Sequence, residues 1–176
     1  AYPSTVALCK INEGQTQVQS SDRMLLNGKL NADQRRREIA RTENAWSQID
    51  RGFSEYEKIP RSEEEEKLYQ QFKPLWQRWV DLHKQFLELN QKYEGFGILN
   101  PLKIQIDLLE QGKTKAPQLA NAKSAVAVLD RMNELALNEK VSAFQAATDG
   151  MIALLSYDKK LAEDTVKAAA QDISQT

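Results

Sequence analysis

Residues 62–94 read SEEEEKLYQQFKPLWQRWVDLHKQFLELNQKYE. Within them Leu68, Phe72, Leu75, Trp79, Leu82, Phe86, Leu89 and Tyr93 recur at spacings of four and three, a heptad seam that a long helix presents on one face. Ser62 followed by Glu65 predicts a capping box at its start. Glu63, Glu64, Glu65 and Glu66 suit the positive end of the helix dipole, so the acidic run reads as a solvated first turn and not as a cation site. Pro74 removes one hydrogen bond from the ladder and predicts a kink.

Working outward, residues 31–58 carry a second seam of Ile39, Thr42, Trp46, Ile49, Phe53 and Tyr56, with Asn31 and Gln34 as its cap and Pro60 beyond its end. Trp46 and Trp79 lie in seams and read as core; Trp76 flanks the third seam and reads as able to face a partner. Residues 4–27 interleave small Ala7, Gly14 and Ser21 with Ile11, Val18 and Leu25, which lets two helix backbones approach closely, and Asn27-Gly28 supplies the stop. Residues 139–174 carry Val141, Phe144, Met151, Leu154, Leu155, Leu161 and Ala168, with Gly150 a soft point. In between, Gly95 and Gly97 break the pattern, Asn100-Pro101 restarts a short helix ending near Gly112, and Pro117 opens another towards Asn138.

Four segments of 25 to 36 residues would each span roughly 37 to 54 Å. Short connections force neighbours to run antiparallel, so the expected class is all-α, an up-down-up-down four-helix bundle with extra short helices between the third and fourth long ones, residues 1–176 forming one domain. Gly and Pro total only 12 of 176 residues while 28 % are charged, which also favours long helices.

The same composition excludes several functions. A net charge of −1 gives no electrostatic footprint for nucleic acid. Cys9 is the only cysteine and His83 the only histidine, so no thiolate metal site, di-iron site or cofactor is expected, and His83 reads as a flank residue beside the seam. No phosphate loop or nucleophile motif occurs, so the chain does not read as an enzyme. Nothing in it approaches a membrane span, and its start at Ala1 suggests a piece of something longer.

What stands out is basic: Arg35, Arg36, Arg37 and Arg41 open the second helix. Extrapolating the seam places Arg35 on the inward stripe, where its desolvation calls for a partner, and no other seam residue of the first three helices is acidic. Asp158 falls near a seam position of the last helix, too far along the bundle to serve. The cluster is therefore a candidate site for a small anion such as a carboxylate, gripped bidentately. The alternative is that these side chains reach water at the bundle end or pair with Asp33 and Glu38.

Two stretches carry a family resemblance. INEGQTQVQSSDRMLL (11–26) and the pattern W-x2-I-D-x-G-F-x2-Y-E-x-I-P-x-S-x-E-E leading to F-x3-W-x2-W, from Trp46 to Trp79, resemble the four-helix-bundle sensor domains of bacterial methyl-accepting chemotaxis proteins. The final IALLSYDKKLAEDTVKAAA (152–170) has the character of the helix that returns to the membrane there. The resemblance implies the periplasmic domain of an inner-membrane receptor, tethered by membrane helices on either side. It further implies ligand binding at the membrane-distal end of a homodimer, and signalling by displacement of the last helix. Arg35, Arg36, Arg37 and Arg41 follow the first interhelical turn and so sit at that end. The aspartate-receptor arginine pattern itself, which lies on the first helix, is absent. A histidine-kinase sensor domain and a structural bundle without a small ligand are the alternatives. Any dimer of the isolated domain is expected to be weak, with the small-residue stripe serving either the two-fold contact or the intrachain core, and Cys9 on the opposite face.

Overall fold

The computed structural model describes residues 2–175, the Tyr2 side chain excepted. Six helices follow one another: α1 (Tyr2–Leu25), α2 (Ala32–Glu57), α3 (Glu63–Gly95), α4 (Pro101–Glu110), α5 (Pro117–Leu137) and α6 (Glu139–Gln175). The chain is all-helical, a helical bundle with no strand among the described residues. Among the described residues no helix is long and apolar enough to cross a membrane.

The ends of the elements follow from local chemistry. Asn31 and Gln34 form the expected reciprocal box, each side-chain oxygen accepting from the other's backbone N–H at 2.8 and 2.9 Å. At α3 only half the expected box exists. Ser62 Oγ accepts from the Glu65 backbone at 3.1 Å, but the Glu65 carboxylate turns inward and is 4 % exposed, so only part of the acidic run is a solvated turn. Pro74 lies inside an unbroken α3.

α1 and α2 form the closest pair of helices. Gly14 faces Ala45 and Ile49, while Gly52 faces Ala7 and Ile11, so the two run in opposite directions with backbones pressed together. The small-residue stripe of α1 thus serves the intrachain core, and Cys9 is exposed on the other side. α6 lies against α3, with Gly150 on Phe72 and Phe144 on Trp79. α2 and α3 meet mainly through wide rings: Trp46 stacks on Trp79 with centroids 5.4 Å apart, and Trp76 meets Trp79 at 5.0 Å and Phe53 at 5.2 Å. Trp76 is therefore core, not a partner-facing flank.

The buried stripe of α3 is rotated from the expected one. It runs Glu65, Tyr69, Phe72, Trp76, Trp79, His83, Phe86, Asn90, Tyr93, replacing Leu68, Leu75 and Leu89 by their following neighbours; Leu75 is 37 % exposed. Leu82 stays buried beside His83. Beyond Asp158, α6 has no buried residue.

A β-carbon added at Gly14 would sit 2.5 Å from Ile49 Cγ1, and one at Gly52 would sit 2.7 Å from Ile11 Cγ1 and 3.0 Å from the Ala7 carbonyl. Gly14→Leu and Gly52→Leu are each expected to lower unfolding free energy by about 2 kcal/mol or more through overpacking. Gly95→Ala, whose new atom meets nothing within 4 Å, is expected to be neutral or to gain up to about 1 kcal/mol in helix propensity. Urea denaturation of the three variants measures both effects.

Candidate functional site

Arg35 enters the core from the first turn of α2 and is 4 % exposed. Its guanidinium donates from Nε to Glu94 Oε1 at 3.2 Å and from one terminal nitrogen to the Leu25 carbonyl at 3.0 Å and to Asn90 Oδ1. A longer contact of 3.4 Å reaches the Asn27 carbonyl. It also lies 4.7 Å from the centroid of the Tyr93 ring. Arg35 therefore answers the carbonyls left open where α1 ends and ties that end to α3. Glu94 in turn accepts from Asn90 at 3.0 Å. Seam reasoning missed Glu94 because it lies beside the buried stripe, one residue past Tyr93, and reaches Arg35 from the flank.

Next to this cluster the structure opens a cleft of about 490 Å³ between the start of α2 and the segment that follows α3, a size suited to a small ligand. Arg35, Arg36 and Glu94 supply its charge, with Leu30, Tyr93 and Ile98 among its apolar walls. The N-cap Asn31 and the first residue of α2, Ala32, also face it, so the positive end of the helix dipole adds to the two guanidinium groups. Arg36 is exposed and pairs with Asp33. Arg37 is exposed and Arg41 contacts Glu38 at 3.8 Å; neither lines the cleft. Burial pushes the Tyr93 hydroxyl up, with Arg35 acting weakly the other way.

A second polar cluster lies deeper. His83 is 2 % exposed, which corrects the expectation of a flank residue. Its Nε2 accepts from the Trp46 indole N–H at 3.3 Å, so Nδ1 carries the hydrogen that it donates to Asp22 Oδ2 at 2.9 Å. The same carboxylate oxygen is paired with the Lys140 ammonium, which also sits 5.3 Å from the Trp79 ring centroid and 5.6 Å from that of Phe86. Asp22 and Lys140 were not singled out from the sequence, because neither stands in a recognisable motif. No group of acidic, histidine or cysteine residues among the described ones is placed to hold a metal ion.

Compared with known families, residues 4–173 match the model of a four-helix-bundle sensory module for signal transduction. The chain belongs to this family. The resemblance to the sensor domains of methyl-accepting chemotaxis proteins thus holds over nearly the whole chain, including residues 95–138, which the motifs did not reach. No curated protein and no solved structure is significantly similar to it. Membership in a family of sensory modules points to signalling in place of catalysis.

Within this sensory module the Asp22–Lys140 pair can be tested by subtraction. Asp22→Asn leaves a buried ammonium without its counter-charge and is expected to cost about 3–5 kcal/mol, whereas Asp22→Leu with Lys140→Met removes both charges and is expected to recover most of that loss. Denaturant titration of the two proteins decides it.

Proposed function

We infer that the chain is the extracytoplasmic, periplasmic ligand-sensing domain of a transmembrane chemoreceptor in a bacterial inner membrane, built as an up-down-up-down bundle with additional helices α4 and α5. Support comes from the family match over residues 4–173 and from α6, a 37-residue helix whose last part stands clear of the core and so suits a connection to an output module. The full-length receptor works as a homodimer. Since the small-residue stripe of α1 is covered by α2, any two-fold contact uses other surfaces.

The observation that carries the ligand reading is the cleft holding Arg35 and Arg36 at the start of α2. Its ligand is a small anion, a carboxylate above all. Arg36, whose side chain is 75 % exposed and is held among the described residues only by neighbouring Asp33, receives the anion first. Arg35 is already engaged by Glu94 at 3.2 Å, so a carboxylate that reaches Arg35 does so by replacing Glu94. That exchange frees Glu94 and changes what Asn90 bonds, which is how binding favours one arrangement of the helices over the other. Displacement of α6 then passes the change onward. Arg37 and Arg41, outside the cleft, contribute only to its positive field.

A thermal-shift screen of organic acids and amino acids tests this. A hit is expected to add about 2.7 kcal/mol of stability at a hundredfold excess over its Kd. Arg36→Ala is expected to weaken it by about tenfold or more, equivalent to about 1.4 kcal/mol, while leaving the ligand-free melting temperature nearly unchanged. No stabilising anion, or a hit indifferent to Arg36→Ala and to Arg35→Lys, would place the site elsewhere.

A further inference from the structure

At the end of the bundle opposite the cleft, two carboxyl groups from different helices meet inside the protein. Glu65 of α3 is 4 % exposed and Asp158 of α6 is 3 % exposed, and they lie close enough for Glu65 to act on Asp158; the hydroxyls of Ser62 and Tyr157, 2.5 Å apart, join the same two stretches of chain. Tyr56 of α2 donates to Glu65 Oε1 at 2.9 Å, and Thr5 of α1 donates to Asp158 Oδ2 at 3.4 Å. Among the described residues, neither carboxyl forms an ion pair with a lysine or arginine.

α1 offers the Thr5 hydroxyl. α2 offers Tyr56, whose hydroxyl is held well above its ordinary range by burial and by Glu65, so that it remains a donor. Arg61, in the connection to α3, lies over the Tyr56 ring at 5.2 Å but is paired with Glu66 at 2.5 Å. On α6 itself, Tyr157 bonds Ser62 at 2.5 Å. Two adjoining buried carboxyl groups with no lysine or arginine partner among the described residues resist being ionised together, because each charge opposes the other and neither is hydrated. One proton between them converts repulsion into an acid-to-carboxylate hydrogen bond.

We propose that Glu65 and Asp158 form a proton-operated latch: sharing one proton they hold α6 against α1 and α3, and losing it loosens α6 where that helix leaves the core. The latch stands on its own geometry, whether or not an anion occupies the distant cleft. Position makes it a means of regulation, since Asp158 is the last buried residue of α6.

Burial first, then Glu65, push the Asp158 carboxyl up to about 6; Thr5 opposes this with smaller effect. A carboxyl raised from 3.8 to about 6 by folding is protonated in the folded state over that interval, so its contribution favours the closed form at low pH and is lost as pH rises through about 6.

Side-chain carbon-13 NMR of Asp158 is expected to show a midpoint near 6. Backbone amides of residues 151–158 are expected to exchange about tenfold faster at pH 7.5 than at pH 5, after correction for intrinsic base catalysis, with no such excess in the middle of α2. Asp158→Asn, which keeps a hydrogen-bonding side chain without a titrating proton, should abolish the excess. Glu65→Gln, which removes the like charge, should lower the Asp158 midpoint and shrink the excess. The latch is overturned by an Asp158 midpoint near 4 in the wild type, by an undiminished excess in Asp158→Asn, or by an excess spread equally over α2 and α6.

Discussion

The Asp22 carboxylate holds three helices at one point. From α1 it accepts the His83 N–H of α3 at 2.9 Å and pairs with Lys140 at the start of α6. Such a contact tolerates little sliding, because a shifted helix would leave a buried charge unpaired, at a cost of several kcal/mol. Apolar packing alone is more permissive, since leucines and aromatics accept many neighbours. The alignment of α1, α3 and α6 therefore rests on this polar contact, and the tryptophan layer around it excludes the water that would weaken it.

α3 carries two further polar contacts of the same kind. Glu65 meets α2 and α6 at one end, and Asn90 meets Arg35 of α2 at the other. The three positions divide the helix into an end that fixes α6, a middle that fixes alignment, and an end that borders the cleft. Each is a place where a change of charge alters helix contacts, and each lies on the one stripe that links the two ends.

The heptad period, the Asn31 cap and the close-approach stripe of α1 were legible because they are local: they depend on spacing within one segment. The rotated stripe of α3 was not. Leucine is the stronger hydrophobic signal, so Leu68, Leu75 and Leu89 mark a plausible seam, while the space actually available between α2 and α3 suits wide rings and, at His83 and Asn90, polar groups with partners on other helices. Whether a histidine is a flank or a buried hydrogen-bonding residue depends on Asp22, 61 residues away, and no local pattern carries that. Arg35 shows the same limit. Its inward direction could be read from the period, but its partner Glu94, 59 residues on, sits outside any seam and was found only in three dimensions. Arg36 and Arg35 border the cleft while Arg37 and Arg41 do not, a division made by the rotation of the helix over fewer than two turns.

In the proposed sensing scheme one stripe of α3 links the cleft to the rest of the bundle, so the most direct measurement follows its polar side chains as a ligand is added. In a carbon- and nitrogen-labelled domain titrated with a carboxylate that stabilises it, the Asn90 amide and the Glu94 carboxyl should shift first and saturate together with the Arg35 and Arg36 guanidinium signals. Smaller shifts should reach the His83 ring and α6 at the same ligand concentration. Saturation of a stabilising carboxylate with no change at Asn90, Glu94 or Arg35 would contradict the account.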